Sequence, residues 1–396
     1  MPDPRHIRIS EYDYRLPEER IAFYPLKERD QSRLLVWNKG QIRDESFSAL
    51  PSQLPARSLL VFNNSRVIRA RLCFTRHERA PLEIFCLEPE QVQNSKAPAG
   101  EAYWHCLVGR LKSWKAGRQT QSAGDITLHA EVLERNDENV IVRFLWEPAS
   151  LRFEEVLERA GRVPLPPYID RDAEDSDNDR YQTVYAAQNG SVAAPTAGLH
   201  FTPAVLTALR EKGIKTTELT LHVGSGTFRP VKSELAGDHV MHGEWFTVHR
   251  ELLQSLLDQD GPVVAVGTTS MRALESLYWL GAKLLKNEWS GTYEVLQWEP
   301  YDKEVSLSGS EAIKAILDHM KNKKLPVLTC RTSILIAPGY RTRIVTGLIT
   351  NFHQPASTLL LLVAALAGKD WKIIYDHALR NGYRFLSYGD SSLLLP

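Results

Sequence analysis

Between Arg66 and Glu147 the chain offers no helical pattern. Short strand-like runs, "ARLCFTR", "LEIFCLE", "YWHCLVGRL", "ITLHAEVLER" and "NVIVRFLW", follow one another with turn residues between them. That spacing predicts a small all-β barrel or sandwich. The flanking sequence reads differently. "LLVWN" (34–38) and "SLLVFN" (58–63) are expected as buried strands, with a short helix and a loop in "DESFSALPSQLP" between them. Helical periodicity returns in "LRFEEVLERAG" (151–161), with Gly161 as its C-cap. Beyond Val192, strands and helices alternate. "FTPAVLTALREKG" is a helix capped by Thr202, "KTTELTLHV" a strand, and "PVVAVG" a strand running into the helix "TTSMRALESLYWLG", which ends at Gly281. "SILIAPGY" and "RIVTGLITNF" read as strands, "STLLLLVAALAG" as a buried helix, and "YRFLSYGDSSLLL" as the closing segment. Alternation of this kind means α/β architecture with much parallel sheet. The expected organisation is an α/β domain formed by residues 1–65 and 149–396, with an inserted small all-β barrel domain at 66–148.

Composition narrows the class of function. A chain of 396 residues with 43% hydrophobic content can bury a large core. Lys+Arg and Asp+Glu balance at 48 each, so overall charge cannot hold the protein on nucleic acid; a local basic face can. The four cysteines, Cys73, Cys86, Cys106 and Cys330, show no C-x-x-C spacing, which argues against a zinc site or a redox pair and for a reducing compartment. "MPDPRHIRISEYDYRLP" has no apolar core of a signal peptide, and "TLLLLVAALAG" is too short to span a bilayer. A cytoplasmic protein without a membrane is expected. The acidic run Asp170–Asp179 reads as a solvated loop.

Candidate chemistry gathers where strands end. In "VAVGTTSMRALES" a buried strand stops at glycine and a helix opens with Thr268, Thr269 and Ser270. The first N–H groups of a helix lack internal partners, and its dipole end is positive, so this is either an anion site or simply a capped helix. Arg272 and Glu275 share one face of it. "TLHVGSGTFRPV" runs a strand histidine, His222, into Gly224, Gly226 and Thr227. "APTAGLHF" repeats the theme with Thr196, Gly198 and His200, "DHVMHGEWF" with His239, His242 and Glu244, and "TNFHQPAST" with Asn351 and His353. Any one of these histidines alone is more readily a packed core residue than a catalyst. Five of the 12 histidines at such loops favour proton transfer near neutral pH. No H-x-x-x-H or H-E-x-x-H helix points to a metal, and none is expected. "WHCLVGRLKSWKAGR" carries Arg110, Lys112, Lys115 and Arg118 with Trp104 and Trp114 and no acid, which suits a single-stranded nucleic-acid surface or an ordinary solvated barrel.

Ten blocks, in order along nearly the whole chain, resemble the S-adenosylmethionine:tRNA ribosyltransferase-isomerases of queuosine biosynthesis. They are "YPLKERDQSRLLV", "LLVFNNSRVIRARL", "PLPPYIDR", "DRYQTVYA", "GSVAAPTAGLHFT", "TLHVGSGTFRPV", "HVMHGEW", "VAVGTTSMRALES", "NFHQPASTLLLLV" and "YRFLSYGD". The resemblance implies an α/β domain with an inserted β-barrel. It also implies a reaction in which the ribosyl part of S-adenosylmethionine passes to a 7-aminomethyl-7-deazaguanine at the tRNA wobble position. The sugar isomerises to give epoxyqueuosine, and adenine and methionine leave. Its partners would be the tRNA anticodon stem-loop and S-adenosylmethionine as co-substrate, with no obligate protein partner. The family's route begins with loss of a proton beside the sulfonium. His200 or His222 is then a candidate base, and His242 or His353 a candidate acid. Thr268, Thr269, Ser270 and Arg272 would hold the methionine carboxylate, and Gly224 and Gly226 would let backbone approach the sugar. Thr196, Gly198, Thr227 and Glu275 are assigned to the co-substrate as well. Arg66, Arg110, Lys112, Lys115, Asn351, Tyr388 and Asp390 are assigned to the acceptor.

The chain departs from the family at Asn64, Ser65 and Arg69, where members typically carry Asp, Thr and Pro, and in the altered basic motif "GRLKSWKAG". It also departs in a longer segment at 282–330, expected to add a hairpin and a helix. A relative that uses S-adenosylmethionine on another acceptor, or an RNA-binding protein of the same fold, are the alternative readings.

Overall fold

The computed structural model describes residues 3–76, 79–90, 94–114, 117–135, 140–222, 231, 233–289 and 291–396, with the side chains of Arg79 and His222 excepted. Its strands, in chain order, begin with β1 (Arg33–Asn38), β2 (Gln41–Ser46), β3 (Leu59–Asn63) and β4 (Ser65–Val67). Next come β5 (Arg71–Arg76), β6 (Arg79–Pro89), β7 (Glu101–Val108), β8 (Gln119–Ala123), β9 (Ile126–Arg135) and β10 (Val140–Glu147). The remainder are β11 (Gln188–Ser191), β12 (Lys215–His222), β13 (Glu244–His249), β14 (Val263–Val266), β15 (Glu294–Val295), β16 (Val327–Thr332), β17 (Gly347–Asn351) and β18 (Ser391–Leu395).

The architecture is α/β. Ten strands form one mixed sheet in the order β15-β16-β13-β12-β3-β14-β17-β18-β1-β2. Its central pairs β12–β3, β3–β14 and β14–β17 are parallel. The apolar runs of β3, β14 and β17 are buried on both faces, as central parallel strands require. Alternate residues sort to the two faces. Leu35, Val61 and Ala265 pack with the helix Thr268–Leu285 in one core; Leu34, Leu60 and Val264 pack with the helix Pro203–Glu211 in the other. Strands β5 to β10 make a separate antiparallel sheet, ordered β5-β6-β7-β10-β9-β8, whose edge strands β5 and β8 approach each other to give a nearly closed barrel. The helix Phe153–Ala160 plugs it. The Phe153 ring lies 5.4, 4.9 and 5.3 Å from those of Trp104, Phe144 and Trp146.

Local signals fixed several ends as expected. Thr202 Oγ1 accepts from the N–H of Val205, and Gly161 closes the helix before it. Other expectations need correction. The helix at Thr268 does not stop at Gly281 but continues to Leu285. Gly281 instead permits close helix packing, since a Cβ there would stand 2.1 Å from the Ala312 carbonyl oxygen. "DESFSALPSQLP" does hold the expected short helix, Leu50–Gln53, but it begins inside strand β2, a polar edge strand whose mostly exposed side chains give no apolar alternation. "SILIAPGY" forms no strand; Ser333 donates its N–H to the Val295 carbonyl as the chain leaves the sheet. The 282–330 segment supplies the helix Gly309–Asn322, but β15 pairs with β16 in parallel, so it makes no hairpin. Within the acidic run, Asp177 is fully buried and held by both guanidinium nitrogens of Arg171 at 2.7 and 2.8 Å.

Candidate active site

The C-terminal ends of β14 and β17 open into one pocket. Its walls include Thr196, Thr268, Thr269, Asn351, His353 and Thr358. Gly267 makes this possible. At φ +95° it turns the chain sharply from β14 into the helix Thr268–Leu285, a conformation glycine adopts without strain. No side chain caps that helix among the described residues, so its first N–H groups are open to a ligand. A second helix, Thr358–Ala367, begins on the same pocket with Ser357 Oγ accepting from the Leu360 N–H. Two positive helix ends therefore converge on one small space, which suits an anion.

Histidines lie deep in this region. His353 is buried, with Nε2 at 2.9 Å from Thr350 Oγ1 and its own N–H donated to Tyr375 Oη. His200 is buried behind the pocket wall. Its Nδ1 lies 2.8 Å from Ser32 Oγ and its Nε2 3.1 Å from Asn351 Nδ2. Burial lowers the pKa of both rings to about 3, helped at His200 by the nearby Arg384 and Arg29. Both are neutral near pH 7. A neutral, buried imidazole is a weak base and holds no spare proton, so the acid–base roles expected of His200 and His353 meet a physical obstacle. His242 is exposed and stands just before β13, whose Trp245 pairs with His222 at the end of β12. The side chain of His222, and Gly224, Gly226, Thr227 and Lys115, lie outside the described residues.

Several other candidates have internal partners. Arg272 is buried, ion-paired with Glu244 and bonded through Nε to the Ile334 carbonyl, while its Nη2 has no partner among the described residues. Glu275 accepts from Tyr340 Oη and from the N–H groups of Arg343, Ile344 and Val345, which fixes the approach to β17 rather than facing the pocket. Ser270 donates to the Val266 carbonyl, one turn back. Gly198 faces Tyr185, whose hydroxyl leaves no room for a Cβ. Asp390 accepts from the N–H groups of Arg33 and Arg384, and Tyr388 donates to Asp177. The "SYGD" loop is thus an internal clasp, though its Ser387 reaches the pocket. Arg66 is exposed on β4. On the barrel, Arg110, Lys112 and Arg118 are exposed; Arg118 pairs with Glu131, and Trp114 is buried with its indole N–H on the Gly117 carbonyl. Sequence reading missed Ser32, which is 168 positions from its partner His200.

Comparison with known proteins covers nearly the whole chain. Residues 9–394 match the family described as queuosine biosynthesis protein. An S-adenosylmethionine:tRNA ribosyltransferase-isomerase from Desulfitobacterium hafniense is 40% identical over 396 residues, spanning 98% of this chain and 100% of that one. The protein of the same description from Zymomonas mobilis is 38% identical over 398 residues, again with 98% and 100% covered. A solved structure, the S-adenosylmethionine tRNA ribosyltransferase of Thermotoga maritima, is 27% identical with a TM-score of 0.46, covering 97% of this chain and 100% of that one.

Proposed function

Since the chain belongs to the queuosine biosynthesis family of S-adenosylmethionine:tRNA ribosyltransferase-isomerases, we propose that it moves the ribosyl group of S-adenosylmethionine onto the aminomethyl group of a 7-deazaguanine at the tRNA wobble position. The sugar isomerises to the epoxycyclopentanediol of epoxyqueuosine, with release of adenine and methionine. The observation that carries this reading is the convergence of two helix starts, at Thr268 and Thr358, on one pocket at the sheet's C-terminal edge. Open N–H groups there suit the methionine carboxylate, with Thr196, Thr268 and Thr269 around it. The sulfonium makes the adjacent C–H acidic, and a base must take that proton. His222 is the favoured base and His242 the favoured donor to departing adenine, because burial lowers the pKa of His200 and His353 to about 3, leaving them weak bases with no proton to give near pH 7. The segment 66–148 is read as an inserted barrel domain that offers Arg110 and Lys112 to RNA phosphates.

The test is incubation with S-adenosylmethionine and tRNA carrying the aminomethyl-deazaguanine, followed by mass analysis of nucleosides and free adenine. Epoxyqueuosine in the tRNA with equimolar adenine supports the reading. Adenine release that ignores the modified tRNA, or none at all, overturns it.

A further inference from the structure

Asn351 ends β17 in a buried position on the pocket wall, with an unusual hydrogen-bond balance. Its Nδ2 is spent on His200 Nε2, while Oδ1, equally buried, has no partner among the described residues. An amide N–H can only donate, so Nε2 of His200 must accept. The ring proton then sits on Nδ1 and is donated to Ser32 Oγ at 2.8 Å. The Ser32 hydroxyl, able to donate or accept, accommodates that tautomer, and the tautomer goes with the end of the Asn351 amide that is left free. The opposite tautomer would turn the amide over and present two N–H donors in place of an acceptor. Burial keeps the ring neutral, so the tautomer is the only variable.

We propose that Asn351 Oδ1 accepts a hydrogen bond from the α-ammonium of S-adenosylmethionine, and that His200 is a positioning residue which holds the amide in that orientation. The assignment rests on the proposed function and adds the recognition of one substrate group. Two features favour the ammonium over other donors. On an α-amino acid, ammonium and carboxylate share one carbon, so the ammonium's acceptor must stand beside the carboxylate site. Asn351 does: Val266 pairs with Ile349, and Thr268 and Asn351 each lie two residues further on. Finally, neither Asp nor Glu lines the pocket among the described residues, so no side-chain carboxylate there competes for the cation.

The experiment is calorimetric binding of S-adenosylmethionine and of its analogue lacking the α-amino group. Wild type should favour the natural ligand by about 10–100-fold, the range for one hydrogen bond to a charged group. Asn351→Leu should abolish that preference, and the near-isosteric Asn351→Asp should keep or raise it. His200→Ala should weaken the natural ligand selectively, and His200→Gln, which can still accept from Asn351 Nδ2, should recover most of the loss. Melting curves identify any variant that fails to fold; Asn351→Asp and His200→Gln, the most conservative changes, keep the idea testable. Wild type that binds both ligands alike, or an Asn351→Leu variant that loses both equally, overturns the inference. Wild type that binds no S-adenosylmethionine would instead overturn the proposed function.

Discussion

Tyr388 donates its phenolic hydrogen to the buried carboxylate of Asp177 at 2.7 Å, joining the "SYGD" loop to an acidic segment 211 residues earlier in the chain. Burial works to raise the Asp177 pKa, but Arg171, the Glu174 N–H and Tyr388 together hold it below the ordinary carboxylate value. Tyr388→Phe should cost about 1–3 kcal/mol of stability by leaving part of that carboxylate unsatisfied. S-adenosylmethionine affinity should be unchanged. Chemical denaturation and calorimetry check both; full stability with impaired turnover would place the hydroxyl against the substrate.

The two neutral imidazoles make stability depend on pH. Below about 6.5 the unfolded chain protonates His200 and His353, whereas the folded chain resists until about 3. Protons therefore favour the unfolded state throughout that window, and stability falls as pH drops through it. At pH 5 the loss is about 2 kcal/mol per ring. Urea midpoints at pH 7.5 and pH 5 should show it. His353→Gln should remove a share of the dependence, and an identical slope in the variant would refute this origin.

Gly281→Ala should destabilise the protein even though alanine is the better helix former. The added methyl would meet the Ala312 carbonyl oxygen, and overpacking of this kind costs about 1–3 kcal/mol against a propensity gain of about 1. A higher melting temperature in the variant would show that the two helices can part without cost.

Gly281 also illustrates what was legible in the sequence. Helix stops, caps and strand ends are local, so Thr202, Gly161 and the turn at Gly267 were readable from neighbouring residues. A glycine inside a helix looks the same as one beyond it, because its reason lies in a second helix. The loops that build the pocket were legible for the same local cause, since glycine and hydroxyl residues cluster after apolar runs. The functions within them were not. Burial turned His200 from a candidate base into the partner of Asn351 and Ser32, and only tertiary packing brings those three together. Glu275 and Arg272 share a helix face as expected, yet each found its partners on other elements.

Arg272→Ala should unfold the protein more than it impairs binding. Removing one partner of a buried ion pair strands the Glu244 carboxylate, at a cost of about 3–5 kcal/mol. Arg272→Met combined with Glu244→Leu should regain much of that stability. If Arg272→Ala instead keeps its melting temperature and loses S-adenosylmethionine but not an analogue without the carboxylate, the unpaired Nη2 contacts the ligand.

RNA binding should respond to Arg110 and Lys112, which are exposed with no ion pair among the described residues. Replacing both by alanine should weaken tRNA binding and reduce the slope of log K against log salt by about 1.4, the value for two single-stranded phosphate contacts. Filter binding across a salt series measures this; an unchanged slope would move the RNA surface off the barrel.

The placement of β18 sets an order on biosynthesis. It lies between β17 and β1, with Ser391 opposite Leu34, although it follows every other strand in the chain. On the ribosome the β1–β2 hairpin must therefore wait, with one edge open, until β18 emerges. At roughly 5–20 residues per second that delay is roughly 20–70 seconds. The interval is long enough for a chaperone or a neighbouring nascent chain to reach the exposed edge first.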